Sequence, residues 1–95
     1  MERMERIHGS LIDGEDVVLD GLDGFLACHD HKGGRRRLYG YFEMPSDRLA
    51  ALNHDRRYRL LLSDGRMGDV YTEVVPSNVP GNSIAEFHVS GTLKK

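Results

Sequence analysis

The chain has 95 residues, with 13 basic and 15 acidic side chains, five histidines and one cysteine. A single domain spanning 1–95 fits that length, and no break in composition divides it. A net charge of -2 argues against a general polyanion binder, one cysteine excludes an intramolecular disulfide, and no apolar run approaches the roughly 18 residues of a membrane span.

The N-terminal MERMERIHGS has no apolar core of the kind a signal peptide needs, so the expectation is a cytoplasmic protein with no membrane partner. Charge is distributed unevenly along the chain. Residues 1–30 carry eight acids and two bases, whereas residues 31–66 carry nine bases and four acids. Such asymmetry marks either an anion-binding face or acidic and basic strands that meet across a sheet or between subunits.

Short runs of β-branched, aromatic and leucine residues broken by Gly and Asp predict strands over Arg6–Ile12, Asp16–Leu19 and Gly24–His29. Asp13-Gly14-Glu15 and the segment from Asp20-Gly21 to Asp23-Gly24 read as turns between them. His31-Lys32-Gly33-Gly34 supplies the next turn and leads into a strand over Arg36–Glu43. Pro45–Asn53 reads as one short helix: Ser46 caps its first turn, Asp47 suits its N-terminal end, and Leu49 and Leu52 form the stripe that plugs one end of the sheet.

Tyr58–Ser63 and Met67–Val75 form the clearest hairpin, with Asp64-Gly65 as the two positive-φ residues of a type I′ turn and Gly68 as a bulge or close-approach position. PSNVPGNS is a loop, and Ile84–Leu93 is the last strand. Tight Asp-Gly connections favour antiparallel pairing, since parallel strands need long crossovers. The expected fold is mainly all-β, a small antiparallel β-barrel or strongly curved sheet of six to seven strands with one short helix. Its core should draw on Leu26, Leu38, Phe42, Leu60, Leu62, Val70, Val74, Phe87 and Val89. In architecture this resembles the SH3-like and OB-like modules, with no motif that names a family.

The stretch CHDHKGGRRRLYGYF holds the candidate sites. With Leu38, Gly40 and Phe42 turned to the core, strand alternation puts Arg37, Tyr39 and Tyr41 on the opposite face, preceded by Arg35. Tyrosine rings and guanidinium groups in alternation suit single-stranded nucleic acid, as stacking platforms and phosphate partners. Arg57 and Arg59, with Lys32 and Arg56, extend this basic stripe if the 58–63 strand lies beside it.

His29 and His31 share a strand face and are the candidate metal ligands, a third coming from His8, His54 or His88. Cys28 and Asp30 fall on the other face, and Cys28 reads as a small apolar core residue. No nucleophile elbow or phosphate-binding glycine loop occurs. Glu86 and His88 share a face of the last strand without a nucleophile that spacing assigns to them, so the sequence predicts no enzyme and calls for no cofactor. The expected function is a non-catalytic binding module working by protein–protein contact, including homo-oligomeric self-association at exposed sheet edges. Single-stranded nucleic-acid binding is the alternative, and metal binding the third.

Overall fold

The computed structural model describes residues 2–30 and 36–95, with backbone alone for Glu2, Arg3, Asp30 and Arg36. His31, Lys32 and Arg35 therefore lie outside the described residues. Six strands follow in order: β1 (Glu2–Asp13), β2 (Asp16–Asp30), β3 (Arg36–Pro45), β4 (Arg57–Leu62), β5 (Met67–Pro76) and β6 (Asn82–Lys94), with helix α1 (Ser46–Leu49) between β3 and β4. All pairings are antiparallel, and the sheet closes as β1-β2-β3-β6-β5-β4 with β4 returning to β1. This is a closed barrel with one strand more than the five of a partly open OB-fold. Among the described residues no helix is long and apolar enough to cross a membrane.

Closure follows from alternation along each strand. Leu26 on β2, Phe42 on β3, Leu60 and Leu62 on β4, Val70 on β5 and Phe87 on β6 are all buried, and the Phe42 and Phe87 rings stack with centroids 5.1 Å apart. Leu38 and Val89 pack against this cluster while partly buried. Ile7, Leu11, Leu19, Leu22, Met44, Tyr58 and Ala85 complete the core. Val74 does not join it, being 42% exposed: β4 pairs with β5 only from Met67 to Tyr71, so among the described residues no strand covers that side of β5 beyond Tyr71.

Three local expectations are corrected. The Asp20–Gly24 segment makes no turn; β2 runs through it. Ser10 faces both Asp20 and Gly21, where the register shifts between Gly9 and Leu11, and Gly21 adopts φ +61° as the extra residue of a bulge. Ser10 and the Gly21 N–H both donate to the Asp20 carboxylate at 2.8 Å, which fixes the bulge. At the β4–β5 hairpin only Gly65 has positive φ, so the turn is not type I′. Leu62 accepts from the Gly65 N–H and donates to Arg66, and Asp64 Oδ1 accepts from the Arg66 N–H, giving a three-residue loop ending in a left-handed glycine.

The helix is one turn, Ser46–Leu49, with Pro45 at its cap position and no side-chain cap; the Ser46 hydroxyl meets that of Ser83 at 2.7 Å instead. Leu49 is nonetheless fully buried and Leu52 partly so, so the segment still seals the barrel end. Closure gives every strand two neighbours, so among the described residues an unpaired backbone edge is left where one strand outruns its partner, as β1 and β5 outrun β4. Gly68 does sit at a register shift between Met67 and Asp69, and a Cβ there would stand 2.7 Å from the Thr92 carbonyl oxygen.

Candidate binding face

β3 reads Arg-Arg-Leu-Tyr-Gly-Tyr-Phe-Glu-Met-Pro, and its alternation is regular. Gly40, Phe42 and Met44 are buried with Leu38 against them, which turns Arg37, Tyr39, Tyr41 and Glu43 outward. Register then decides what stands beside each. One transverse row runs Met4–Ala27–Tyr39–His88–Tyr71–Arg57 across all six strands. The adjacent row runs Arg6–Phe25–Tyr41–Glu86–Glu73.

These rows place aromatic groups side by side. Phe25 and Tyr41 lie 5.5 Å apart at a 36° tilt, and Tyr39 and His88 lie 6.3 Å apart at 32°. Arg57 covers the Tyr71 ring at 5.1 Å and donates through Nε to the Tyr71 hydroxyl at 3.1 Å. That hydrogen bond is the main reason the Arg57 guanidinium is held still more firmly protonated than usual. Between the rows a groove of about 220 Å³ is lined by Met4, Phe25, Tyr39, Tyr41, Ile84 and Glu86, with Ala27 and Gly40 as its floor.

The predicted basic stripe is only partly assembled. Arg37 stands in register with His29 on β2. β4 is not a neighbour of β3: it closes against β1 and β5, so Arg57 lies three strand spacings from Tyr39, about 14 Å, joined to it through His88 and Tyr71. Arg59 pairs in register with Ile12 and Asp69. Several arginines of the basic middle third meet carboxylates elsewhere. Arg56 reaches Asp13 at 3.0 Å, and Arg66 bridges Glu5 at 2.9 Å and Asp64 at 2.8 Å. The acidic and basic thirds therefore meet in part through Arg56–Asp13 and Arg66–Glu5, and the Glu5 hydrogen bond is the leading cause that raises the Arg66 pKa.

Glu73 and Glu86 end the row that holds Tyr41. They are directly opposed across β5 and β6, both exposed, with no ion-pair partner among the described residues. Opposed like charges on a sheet are destabilising, so this pair is an electrostatic demand left open on the outer face, beside Tyr41.

The candidate metal ligands do not assemble in what is described. His29 is on the outer surface of β2, and among the described residues no three His, Cys, Asp or Glu side chains could hold an ion. His8 contacts Asp23 across β1 and β2, His54 lies 3.2 Å from Asp55 in the segment between α1 and β4, and His88 on β6 lies against Tyr39. Cys28 is half-buried on the opposite face of β2 from His29, in a cavity of about 490 Å³ at the barrel mouth with Leu26, Leu38, Leu93 and Arg66.

Sequence reasoning missed Phe25, Tyr71, Met4 and Ile84 as members of this face. Alternation in GFLACHD could have placed Phe25 outward; the others depend on strand order, which has no local signal. A scan of protein-family models, a search of curated proteins and a search of solved structures each give no match to this chain.

Proposed function

We propose that this chain is a non-catalytic binding module that works by protein–protein contact, self-association included, through the outer face of β2, β3, β6 and β5. The carrying observation is the aromatic groove bordered by the opposed Glu73–Glu86 pair. Tyrosine and arginine are the side chains that dominate protein interfaces, and a shallow apolar groove with a charged border matches the centre-and-rim anatomy of such contacts. The acid pair selects the partner's chemistry: an extended polypeptide with an apolar side chain for the groove and a lysine or arginine for the carboxylates. The free Cys28 suits a reducing compartment, the cytoplasm on this reading.

Anisotropy with labelled model peptides tests it, a central phenylalanine being flanked by lysines in one and by glutamates in the other. The lysine-flanked peptide binds better, and Tyr41→Ala weakens it about tenfold or more, as expected for an interface tyrosine contributing above about 1.4 kcal/mol. Equal or absent binding of the two peptides refutes the reading.

The second reading is single-stranded nucleic acid along Tyr39–His88–Tyr71–Arg57, favoured by that in-register row. Stacking contributes about 1–3 kcal/mol per base, so Tyr39→Ala with Tyr71→Ala should abolish oligonucleotide binding that persists at physiological salt. The neighbouring acid pair, which repels phosphate, places this reading second.

A further inference from the structure

β1 is 12 residues long and β4 only six, and the mismatch leaves part of β1 uncovered. β4 pairs with Gly9–Ile12, and the Ser63 N–H donates to the His8 carbonyl at 2.9 Å; among the described residues, Glu2 to Ile7 pair with β2 alone. The direction of the unpaired groups follows from His8. Along a strand, a residue's N–H and C=O point to the same side and the next residue's to the other. His8 addresses the β4 side, and the β1–β2 register is unbroken from Glu2 to Gly9, so Arg6, Met4 and Glu2 present their N–H and C=O to that same open side.

The segment is Glu2-Arg3-Met4-Glu5-Arg6, and its sequence is complementary to its own reverse. Antiparallel pairing about a two-fold axis through Met4 sets Glu2 opposite Arg6, Arg3 opposite Glu5, and Met4 opposite Met4. Every charged position then faces its opposite sign. Moving the axis by two residues, to Arg6 or Glu2, slides the strands by four and would instead oppose like charges at the axis. The hydrogen-bonding phase agrees with the charge pattern: Met4 on the axis is a residue whose N–H and C=O face outward, so the two copies can exchange both bonds there.

We propose that two copies of this chain associate through this open segment of β1, joining the two barrel walls into one antiparallel sheet across Met4. The inference rests on the protein-contact reading and names the partner as a second copy. Met4 is 60% exposed and Arg6 is exposed with no partner among the described residues, so both are available. Met4 also begins the row that leads into the aromatic groove, which makes the pairing continuous with the outer face. Glu5 already accepts from Arg66, so the register positions 2 and 6, opposed in the pair, carry most of the charge selectivity.

Sedimentation velocity across a concentration series is the test. Wild type shows a concentration-dependent dimer. Met4→Pro removes an N–H that faces the open side, not β2, so the barrel folds while the dissociation constant rises at least about tenfold, each dimer losing two donors. The charge series does not depend on that variant folding. Arg6→Glu and Glu2→Arg are each monomeric alone, an equimolar mixture of the two forms a heterodimer, and the double variant Glu2→Arg/Arg6→Glu dimerises like wild type. Monomeric wild type at every concentration overturns the proposal, as does a dimer unchanged by Arg6→Glu. A monomeric wild type that still binds the lysine-flanked peptide removes self-pairing alone and leaves the protein-contact reading in place.

Discussion

Gly40→Ala should do damage out of proportion to one methyl group. Gly40 pairs with Leu26 on β2 and Phe87 on β6 in the buried wall, between Tyr39 and Tyr41. A Cβ there would stand 2.0 Å from the Phe25 carbonyl oxygen and 2.5 Å from Phe87 Cζ, where ordinary contact begins at 3.4 Å. The nearer obstacle is backbone, so rotating a side chain cannot relieve it; β2 and β3 must separate by about 1.4 Å. Hydrogen bonds near 2.9 Å do not survive such a displacement. Overpacking costs about 1–3 kcal/mol, and losing two ladder bonds adds about 2 kcal/mol, for a total of about 3–5 kcal/mol. For a domain of this size that lowers Tm by at least about 12 °C. The chain has no tryptophan, so far-UV circular dichroism in urea is the suitable assay. The folded fraction should also lose peptide affinity, because Tyr39 and Tyr41 move with Gly40. A variant within about 1 kcal/mol of wild type would show that the wall yields without strand separation, refuting the reasoning.

Thr72→Val should stabilise the barrel by up to about 1 kcal/mol, because the buried Thr72 Oγ1 has no hydrogen-bond partner among the described residues and an apolar group avoids that desolvation; a loss of stability in urea would count against this. Asp20 is held below its usual carboxylate pKa first by the Ser10 hydroxyl and Asp64 first by the Arg66 N–H, so the stability they add is complete above about pH 4 and is lost as the pH falls through their lower folded values. Thermal melts from about pH 6 to about pH 3 should therefore show a smaller drop for Asp20→Asn/Asp64→Asn than for wild type, and equal drops would refute the assignment.

What could be seen in the sequence divides along a physical line between local and non-local causes. The outward set Arg37, Tyr39 and Tyr41 follows from period-two alternation within β3, and Gly68 follows from the cost of a strand glycine. Asp20-Gly21 looks the same whether it turns a chain or bulges a strand; β1 pairing on both sides of it makes it a bulge. Val74 has the right alternation for the core and is exposed because β4 stops short of it. Arg57 and Arg59 extend the tyrosine stripe only if β4 lies beside β3, and strand order decides that: closure puts β4 against β1 and β5.

Two stretches of wall extend beyond β4, and their difference bears on why only one should recruit a second copy. On β5 the residues after Tyr71 lack a β4 partner, but this stretch ends in Pro76, and Leu52 and His54 from the segment after α1 line a cavity of about 450 Å³ against Thr72 and Val74. Proline and a covering segment are standard means of blunting a strand edge. On β1 the residues from Glu2 to Ile7 contain no proline, and the contact from the β4–β5 turn comes through the Arg66 side chain to Glu5, which leaves the Met4 backbone without a partner on that side among the described residues. An edge protected only by charge repels most strands and accepts one with the complementary order. Glu-Arg-Met-Glu-Arg supplies that order to itself, so the charge that guards this edge against foreign strands is what admits a second copy.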